Sequence, residues 1–165
     1  MSETVCSQEE SQIMITNNNI ETKDIGKKLA LTAVRGDVLW LHGDLGAGKT
    51  EMTKGIADGL NSIDVVSSPS FALIHEYETK TIPLYHIDLY RLYDSAALDL
   101  GLGDYIEGDG LTVIEWGERL PKDYYDDGVE VLINHIENDF EKREITLKAK
   151  GKRGEEHLKR FLEAQ

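Results

Sequence analysis

Residues 43–50 have the types and the spacing that bind phosphate, because they match the pattern G-x-x-x-x-G-K-[S/T] at every position. Gly43, Gly46 and Gly48 allow the backbone N–H groups to wrap closely around an anion. Lys49 would contact the β and γ phosphates, and the Thr50 hydroxyl would bind the magnesium ion that bridges them. The predicted contacts to a nucleoside triphosphate come from Asp44, Leu45, Gly46, Ala47, Gly48, Lys49 and Thr50.

The elements predicted on either side of this loop favour the same interpretation. Residues 38–41 form a short continuous apolar run, which is typical of a strand buried on both faces. A helix should begin near Gly48 and extend to about Leu60, so that its positive N-terminal end lies at the phosphates. A glycine-rich turn that binds nothing would need neither the strand nor the helix.

Two acidic residues that end apolar runs could complete the site. Asp88 and Glu115 should both project from the carboxyl edge of a parallel sheet, where α/β proteins bind ligands. Either could be the carboxylate near the metal, and either could instead be a solvated surface acid. His86 is more typical of a packed side chain than of a proton carrier. Trp116 could stack on a base or fill the core.

A polar turn at residues 67–71 lies between the predicted phosphate-binding helix and Asp88. Pro69 stiffens this turn, and a hydroxyl group from it could contact the γ phosphate. Switch segments of this kind are ordered by the γ phosphate. A simple β-turn fits the sequence equally well.

The order of predicted elements indicates an α/β fold. A helix is expected from Thr22 to before Gly36, strands at residues 71–77, 82–88, 111–115, 129–136 and 144–150, and short helices at 95–100 and 155–163. This order favours a P-loop NTPase three-layer sandwich with a mixed, partly parallel central sheet. We expect a flexible polar leader at residues 1–12 and a single P-loop ATPase domain at residues 13–165.

The composition disfavours several classes of protein. With 31 Asp and Glu residues against 18 Lys and Arg, the formal net charge is −13, so direct binding of nucleic acid is not expected. No apolar run is long enough for a membrane span and no basic, apolar export signal is present. The single cysteine, Cys6, can form neither an internal disulfide nor a zinc cluster, which agrees with a cytoplasmic protein.

Four motifs in order make the sequence similar to the TsaE family, also called YjeE, the small P-loop ATPases of bacterial tRNA threonylcarbamoyladenosine synthesis. The resemblance covers nearly the whole chain. Its motifs are the loop at residues 43–50, the run Ser68, Pro69, Ser70 and Phe71, the run HIDLYR at residues 86–91, and the run Ile114, Glu115 and Trp116. The family usually has threonine where this chain has Ser70.

The resemblance implies an ATP-hydrolysing component that acts with the TsaB and TsaD proteins, which attach threonylcarbamoyl to the adenosine beside the anticodon. The transfer itself would not be carried out by this chain, and the strong acidity favours indirect action on tRNA. ATP and Mg²⁺ would be the cofactors. Hydrolysis by the isolated chain should be slow and stimulated by the partners.

The resemblance also implies roles for individual residues. Thr50 and Glu115 would bind magnesium, and Asp88 would be the second essential acid. Ser70 would replace the switch threonine, and because serine lacks the methyl group that restricts rotation, the switch should be less rigid. The implied catalytic set is Lys49, Asp88, Glu115 and Ser70, and the implied nucleotide neighbours outside the loop are Thr22, Trp116 and Arg143.

Two other functions use the same loop. A small-molecule or nucleotide kinase is the main alternative, but such kinases need a lid rich in arginine, and the six arginines of this chain are scattered. A GTPase switch would need the guanine-reading run Asn-Lys-x-Asp, which does not occur. The pattern leaves open whether Asp88 or Glu115 polarises the attacking water.

Overall fold

The computed structural model describes residues 10–66, 73–92, 101–121 and 127–165. Within these ranges seven strands form one sheet. The strands are β1 (Ser11–Thr16), β2 (Val38–His42), β3 (Ile74–Tyr77), β4 (Leu84–Asp88), β5 (Leu111–Glu115), β6 (Gly128–Ile136) and β7 (Asp139–Lys150). The helices are α1 (Asn19–Leu31), α2 (Lys49–Gly59), α3 (Leu102–Ile106) and α4 (Gly151–Glu163), with a short 3-10 helix at Gly117–Arg119.

The sheet is mixed, with parallel strands at its centre. The strand order is β1-β7-β6-β2-β5-β4-β3. Strands β6, β2, β5 and β4 pair in parallel, whereas β3, β7 and β1 join their neighbours antiparallel. The carboxyl ends of the four central strands therefore meet at one edge, and the predicted mixed, partly parallel sheet is confirmed.

Apolar side chains cover both faces of the sheet, because β2 alternates between two cores. Leu39 and Leu41 lie in the core that contains residues of α1, α2 and α4, whereas Trp40 lies in a second core with Ile114 and Leu102 on the opposite face. All of these side chains are at most 3% exposed. The layers follow the predicted α/β sandwich, with β2 buried on both faces as its apolar run predicts.

Helices α1 and α2 pack with their backbones in direct contact. A Cβ atom on Gly55 would overlap the Lys23 carbonyl oxygen, and one on Gly26 would overlap the Met52 carbonyl oxygen. Glycines on both helices therefore permit a close crossing that a larger residue would prevent. This crossing holds the N-terminal turn of α1 beside the loop that precedes α2.

The amino-terminal part of the described chain differs from the expectation. Strand β1 begins at Ser11, two residues inside the predicted leader, and pairs with β7 from Lys148 to Arg143. Its sequence does not show the usual pattern of apolar residues on the buried face, because the large apolar side chains Ile13 and Ile15 are 61% and 51% exposed. Gln12, Met14 and Thr16 face the packed side, and Met14 is the only apolar one of the three, so the edge strand depends on backbone pairing with β7.

Other element bounds shift by a few residues. Helix α1 begins at Asn19 rather than Thr22, β7 begins at Asp139 rather than residue 144, and α4 begins at Gly151 rather than residue 155. Gly151 and Gly154 weaken the helix signal at the start of α4. Gly154 has a packing role, because a Cβ atom there would overlap the Gly128 carbonyl oxygen, and Gly151 has φ +62°. The helix predicted at residues 95–100 falls outside the described residues, and the short helix α3 is not among the predicted ones.

None of the helices in the described ranges combines the length and the apolar composition needed to cross a lipid bilayer.

The close crossing of α1 and α2 should make Gly55 intolerant of a side chain. We expect Gly55→Ala to lower the free energy of unfolding by about 1–3 kcal/mol, because the methyl group meets rigid backbone. Gly103→Ala is the matched control, since a Cβ atom there has no neighbour within 4 Å and alanine favours the helix. Urea denaturation of both variants measures the difference, and equal stability would contradict the tight helix crossing.

Candidate nucleotide site

The predicted phosphate-binding loop connects the carboxyl end of β2 to the first turn of α2. A Cβ atom on Gly43 would lie 2.6 Å from the Ile133 carbonyl oxygen, so the loop passes too close to β6 for any side chain at this position. Gly48 has φ +116°, in the left-handed region that favours glycine. The backbone of Ala47 turns back to Asp44, whose carbonyl oxygen accepts its N–H at 3.0 Å.

The first turn of α2 faces the site without a side-chain cap. Helix α2 begins at Lys49, and its N-cap, Gly48, has no side chain to accept the first N–H groups. The helical hydrogen bond from Met52 N to Gly48 O is 2.9 Å long. The N–H groups ahead of Met52 and the positive end of the helix can therefore receive an anion.

Lys49 is held at the mouth of the loop by two contacts. Its Nζ donates to the Gly43 carbonyl oxygen at 2.7 Å and lies 4.1 Å from the centroid of the Trp116 ring. Trp116 has φ +58° and packs against Tyr90, with the ring centroids 4.9 Å apart. Both contacts involve neutral groups, so a phosphate oxygen could replace them as a stronger partner of the ammonium group.

Asp88 and Glu115 lie side by side at the ends of neighbouring parallel strands, since their Cα atoms are register partners. Glu115 is 5% exposed. Burial raises the pKa of Asp88, and the negative charge of Glu115 raises it further. The hydrogen bond from the Tyr90 N–H to Asp88 Oδ1, at 2.9 Å, opposes this pKa shift in part, as do the nearby His86 and Lys49.

Two predicted nucleotide neighbours, Arg143 and Thr22, make hydrogen bonds within the protein near the loop. Arg143 Nε donates to the Ala47 carbonyl oxygen at 2.8 Å, and its Nη1 donates to the carbonyl oxygens of Phe140 and Lys142. Thr22 is 1% exposed, with its hydroxyl 2.8 Å from that of Thr16. Arg143 therefore ties β7 to the loop, whereas the Thr22 hydroxyl ties α1 to β1.

These residues surround a cavity of about 510 Å³ at the carboxyl edge of the sheet, a size typical of small-ligand sites. Among the predicted site residues, those that line the cavity are Leu45, Gly46, Gly48, Lys49, Thr50, Asp88, Glu115, Trp116 and Arg143. Asp44, Ala47 and Thr22 do not line it. Ser70 falls outside the described residues, so its proposed switch role stays a prediction.

Five lining residues were not predicted as site residues: Asn19, Glu51, Leu73, Tyr90 and Arg91. Tyr90 and Arg91 belong to the HIDLYR run, so the motif was a usable signal for them. Asn19 lies in the first turn of α1, directly after the N-cap Asn18. Its position beside the loop depends on the helix crossing, which the local sequence does not reveal.

The residues around the cavity fit a magnesium–nucleotide complex. In the described part of the chain no three His, Cys, Asp or Glu side chains gather in a way that could hold a metal by themselves. Magnesium normally takes one or two carboxylates and completes its shell with phosphate oxygens and water. Thr50 and Glu115 both reach the cavity, and the buried Glu115 Oε1 has no hydrogen bond.

Comparison with known proteins finds relatives that carry the same family description. The family model described as threonylcarbamoyl adenosine biosynthesis protein TsaE matches residues 16–145. The tRNA threonylcarbamoyladenosine biosynthesis protein TsaE of Bacillus subtilis is 44% identical over 140 residues, which cover 85% of this chain and 87% of that protein. The protein of the same name from Streptomyces coelicolor is 35% identical over 139 residues, with 79% and 92% covered.

A solved structure supports the same relationship. The crystal structure of Bacillus subtilis YdiB matches this chain with a TM-score of 0.78 and 37% sequence identity, and the match covers 95% of this chain and 97% of that one. The matched family region includes the loop, Asp88 and Glu115. The predicted P-loop NTPase fold is thereby confirmed.

Asp88→Asn should stabilise the ligand-free protein at neutral pH. A raised pKa means that the folded state binds the Asp88 proton more tightly than the unfolded state, so stability falls as the pH rises through the folded-state pKa. Asparagine cannot ionise, so the variant does not undergo this loss of stability at neutral pH. Because the carboxylate is partly exposed, we expect a rise in Tm of at most about 2–4 °C at pH 7, shrinking toward pH 4.

Asp139→Asn is the matched control, and its effect should have the opposite sign. The backbone N–H groups of Glu141 and Lys142 lower the pKa of Asp139, so this carboxylate contributes stability at neutral pH that is lost as the pH falls through its folded-state pKa. Thermal unfolding followed by circular dichroism measures both variants. A lower Tm for Asp88→Asn at pH 7 would contradict the conclusion that burial and the charge of Glu115 make ionised Asp88 unfavourable in the folded state.

Proposed function

The chain belongs to the TsaE family, and on that premise we propose that it is the ATP-binding and ATP-hydrolysing component of the cytoplasmic system that makes threonylcarbamoyladenosine in tRNA. The observation that carries the proposal is the convergence of the phosphate-binding loop with Asp88 and Glu115 on one cavity. A phosphate-binding loop alone does not hydrolyse ATP, because hydrolysis also requires a carboxylate near the metal and a group that orients water.

The loop residues would bind and orient the phosphates. The N–H groups of the loop and of the first turn of α2 would donate to phosphate oxygens, and Lys49 would exchange its bond to Gly43 for the β and γ phosphates. In hydrolysis, water attacks the γ phosphorus as the bond to the β–γ bridging oxygen breaks, giving ADP and phosphate. The Lys49 ammonium group would stabilise the charge that develops on these oxygens.

The strand-end acids would form the second half of the site. Thr50 and Glu115 would hold magnesium, with Asp88 beside them in the same register. A magnesium ion held there would supply positive charge that offsets the charge of the phosphates. The two carboxylates would also accept hydrogen bonds from ordered water, which would keep the nucleophile next to the γ phosphate. Ser70 would add a hydroxyl group that senses this phosphate.

TsaB and TsaD are the proposed partners, and tRNA would be reached only through them. A net charge of −13 opposes direct contact with a polyanion. Leu45 and Tyr90 are 67% and 41% exposed beside the cavity. Apolar side chains at the rim of a charged site are typical of a surface that a protein partner covers.

The same site is less suited to a kinase. Kinases of this size use free arginines to enclose the transferred phosphoryl group. Two arginines line the cavity, Arg91 and Arg143, and Arg143 already donates to three backbone carbonyl oxygens. Because its Nε and Nη1 groups are occupied in this way, Arg143 has fewer N–H groups left to bind a transferred phosphoryl group.

We expect Mg²⁺-dependent ATP hydrolysis to fall by about 10²–10³-fold in Lys49→Ala, Asp88→Ala and Glu115→Ala, because each variant removes a group that acts on the transition state. Glu118→Ala is the matched control. Glu118 is an exposed acid near the same sheet edge that pairs with His42 and does not line the cavity. Phosphate release by the reconstituted TsaB–TsaD system measures all four variants, and full activity in the first three would contradict the assignment.

A pull-down should show that immobilised TsaB and TsaD retain the chain, with the amount changed by ATP. Leu45→Lys should weaken retention, because it places a charge on the apolar rim. Ile63→Lys is the control, since Ile63 is 59% exposed but follows the far end of α2. Absence of retention in every nucleotide state, together with transfer of phosphate to a small acceptor, would instead identify a kinase.

A further inference from the structure

His86 and Glu115 form a pair of buried polar side chains beneath the cavity. His86 Nε2 lies 3.4 Å from Glu115 Oε1, and the two side chains are 2% and 7% exposed. Neither ring nitrogen of His86 nor Glu115 Oε1 makes a hydrogen bond within the described part of the chain. Buried polar atoms are almost always hydrogen-bonded, so an incomplete pair at a ligand site requires a functional explanation.

The strand register places His86 on the same side of the sheet as the two acids. His86 is two residues before Asp88 on β4, and the neighbouring strand β5 sets Val113 opposite His86 and Glu115 opposite Asp88. Side chains two residues apart along a strand share a face. His86 and Glu115 therefore project from the same face of the sheet, where their side chains approach to 3.4 Å.

The close contact of His86 is with Glu115 rather than with Asp88. Its only ion-pair contact within 4.0 Å in the described residues is with Glu115 Oε1, whereas Asp88 Oδ1 accepts from the Tyr90 N–H. Oε1 is withdrawn from solvent, while Glu115 still lines the cavity. A hydrogen bond from below would hold one carboxylate oxygen and leave the other for the ligand.

We propose that His86 is a positioning residue that donates from Nε2 to Glu115 Oε1 when metal and nucleotide bind, and so directs the second carboxylate oxygen toward Thr50 and the metal. The inference rests on the proposed function, because it assigns Glu115 to the metal. At 3.4 Å the two atoms are close but not yet hydrogen-bonded, so the bond needs a shorter and better aligned approach of Nε2 to Oε1. Residues that orient a metal ligand in this way commonly change metal affinity by about 10–100-fold when mutated.

His86→Leu and His86→Gln separate hydrogen bonding from packing. Leucine fills a similar volume without a donor, whereas the glutamine amide can place an N–H close to the position of Nε2. His75→Leu is the matched control. His75 lies opposite His86 in the register of β3 and β4, and its Nδ1 contacts the Tyr77 hydroxyl rather than Glu115.

The experiment measures binding of Mn²⁺ to the ADP-loaded protein by electron paramagnetic resonance, with ADP affinity in excess EDTA as the metal-free reference. His86→Leu should weaken Mn²⁺ binding by about 10–100-fold. His86→Gln and His75→Leu should stay within a few-fold of wild type. Metal-free ADP affinity should be the same for all four proteins, because the phosphate-binding loop is unchanged.

Three outcomes would overturn the inference. Wild-type Mn²⁺ affinity in His86→Leu would show that the pair does not position the carboxylate. Equal weakening in His86→Gln and His86→Leu would show that the imidazole acts by its packing or its charge. Failure of the wild-type protein to bind Mn²⁺ with ADP would overturn the proposed function itself, and the inference with it, and this result is distinct from the other two.

Discussion

Two carboxylates meet at the carboxyl edge of a parallel sheet, and the negative charge that they concentrate there constrains everything placed around them. Asp88 and Glu115 are direct register partners on β4 and β5. Burial and mutual repulsion raise the pKa of Asp88. The elements that face this pair carry compensating positive potential, from Lys49 and from the N-terminal end of α2. A cation bound with a ligand would offset the remaining negative charge of the two carboxylates.

The rest of the fold holds these opposing groups at short range. The glycine contacts between α1 and α2 bring the first turn of α1 to the loop, and β7 supplies Arg143 to the Ala47 carbonyl oxygen. Strands β7 and β1 lie outside the parallel core of the sheet, yet they contribute to the site through this arginine and through the Thr16–Thr22 contact.

Buried polar groups at the opposite edge of the sheet show a different arrangement. Asp37 precedes β2, and its Oδ2 accepts hydrogen bonds from Arg160 at 2.6 Å and from the Val34 N–H at 2.8 Å. His157 is close to the Leu29 carbonyl oxygen, and burial lowers the pKa of this histidine. These bonds fasten α4 to α1 and to the start of β2. Asp37 Oδ2 is satisfied by these donors, in contrast to Glu115 Oε1 at the cavity. His157 Nδ1 lies 3.6 Å from Asp37 Oδ2 and makes no hydrogen bond in the described part of the chain.

Local patterns predicted the elements whose signals are short-range. The apolar run at residues 38–41 indicated a strand buried on both faces, the glycine spacing indicated the loop, and two apolar runs that end in acids indicated Asp88 and Glu115. Strand β1 was missed because its isoleucines face outward, and the start of α4 was missed because Gly154 is required by its contact with Gly128. In both cases a neighbour distant in sequence determines the structure.

The sequence by itself determined the phosphate-binding loop, the α/β class and the family, because each depends on residue types at fixed spacing along the chain. Tertiary structure alone decided which of the predicted residues meet. Strand order and register placed Asp88 beside Glu115 and His86 beneath it, and helix packing turned Thr22 away from the cavity and brought Asn19 to it. These contacts join residues far apart in the chain, so their geometry follows from the packing of the whole sheet and its helices.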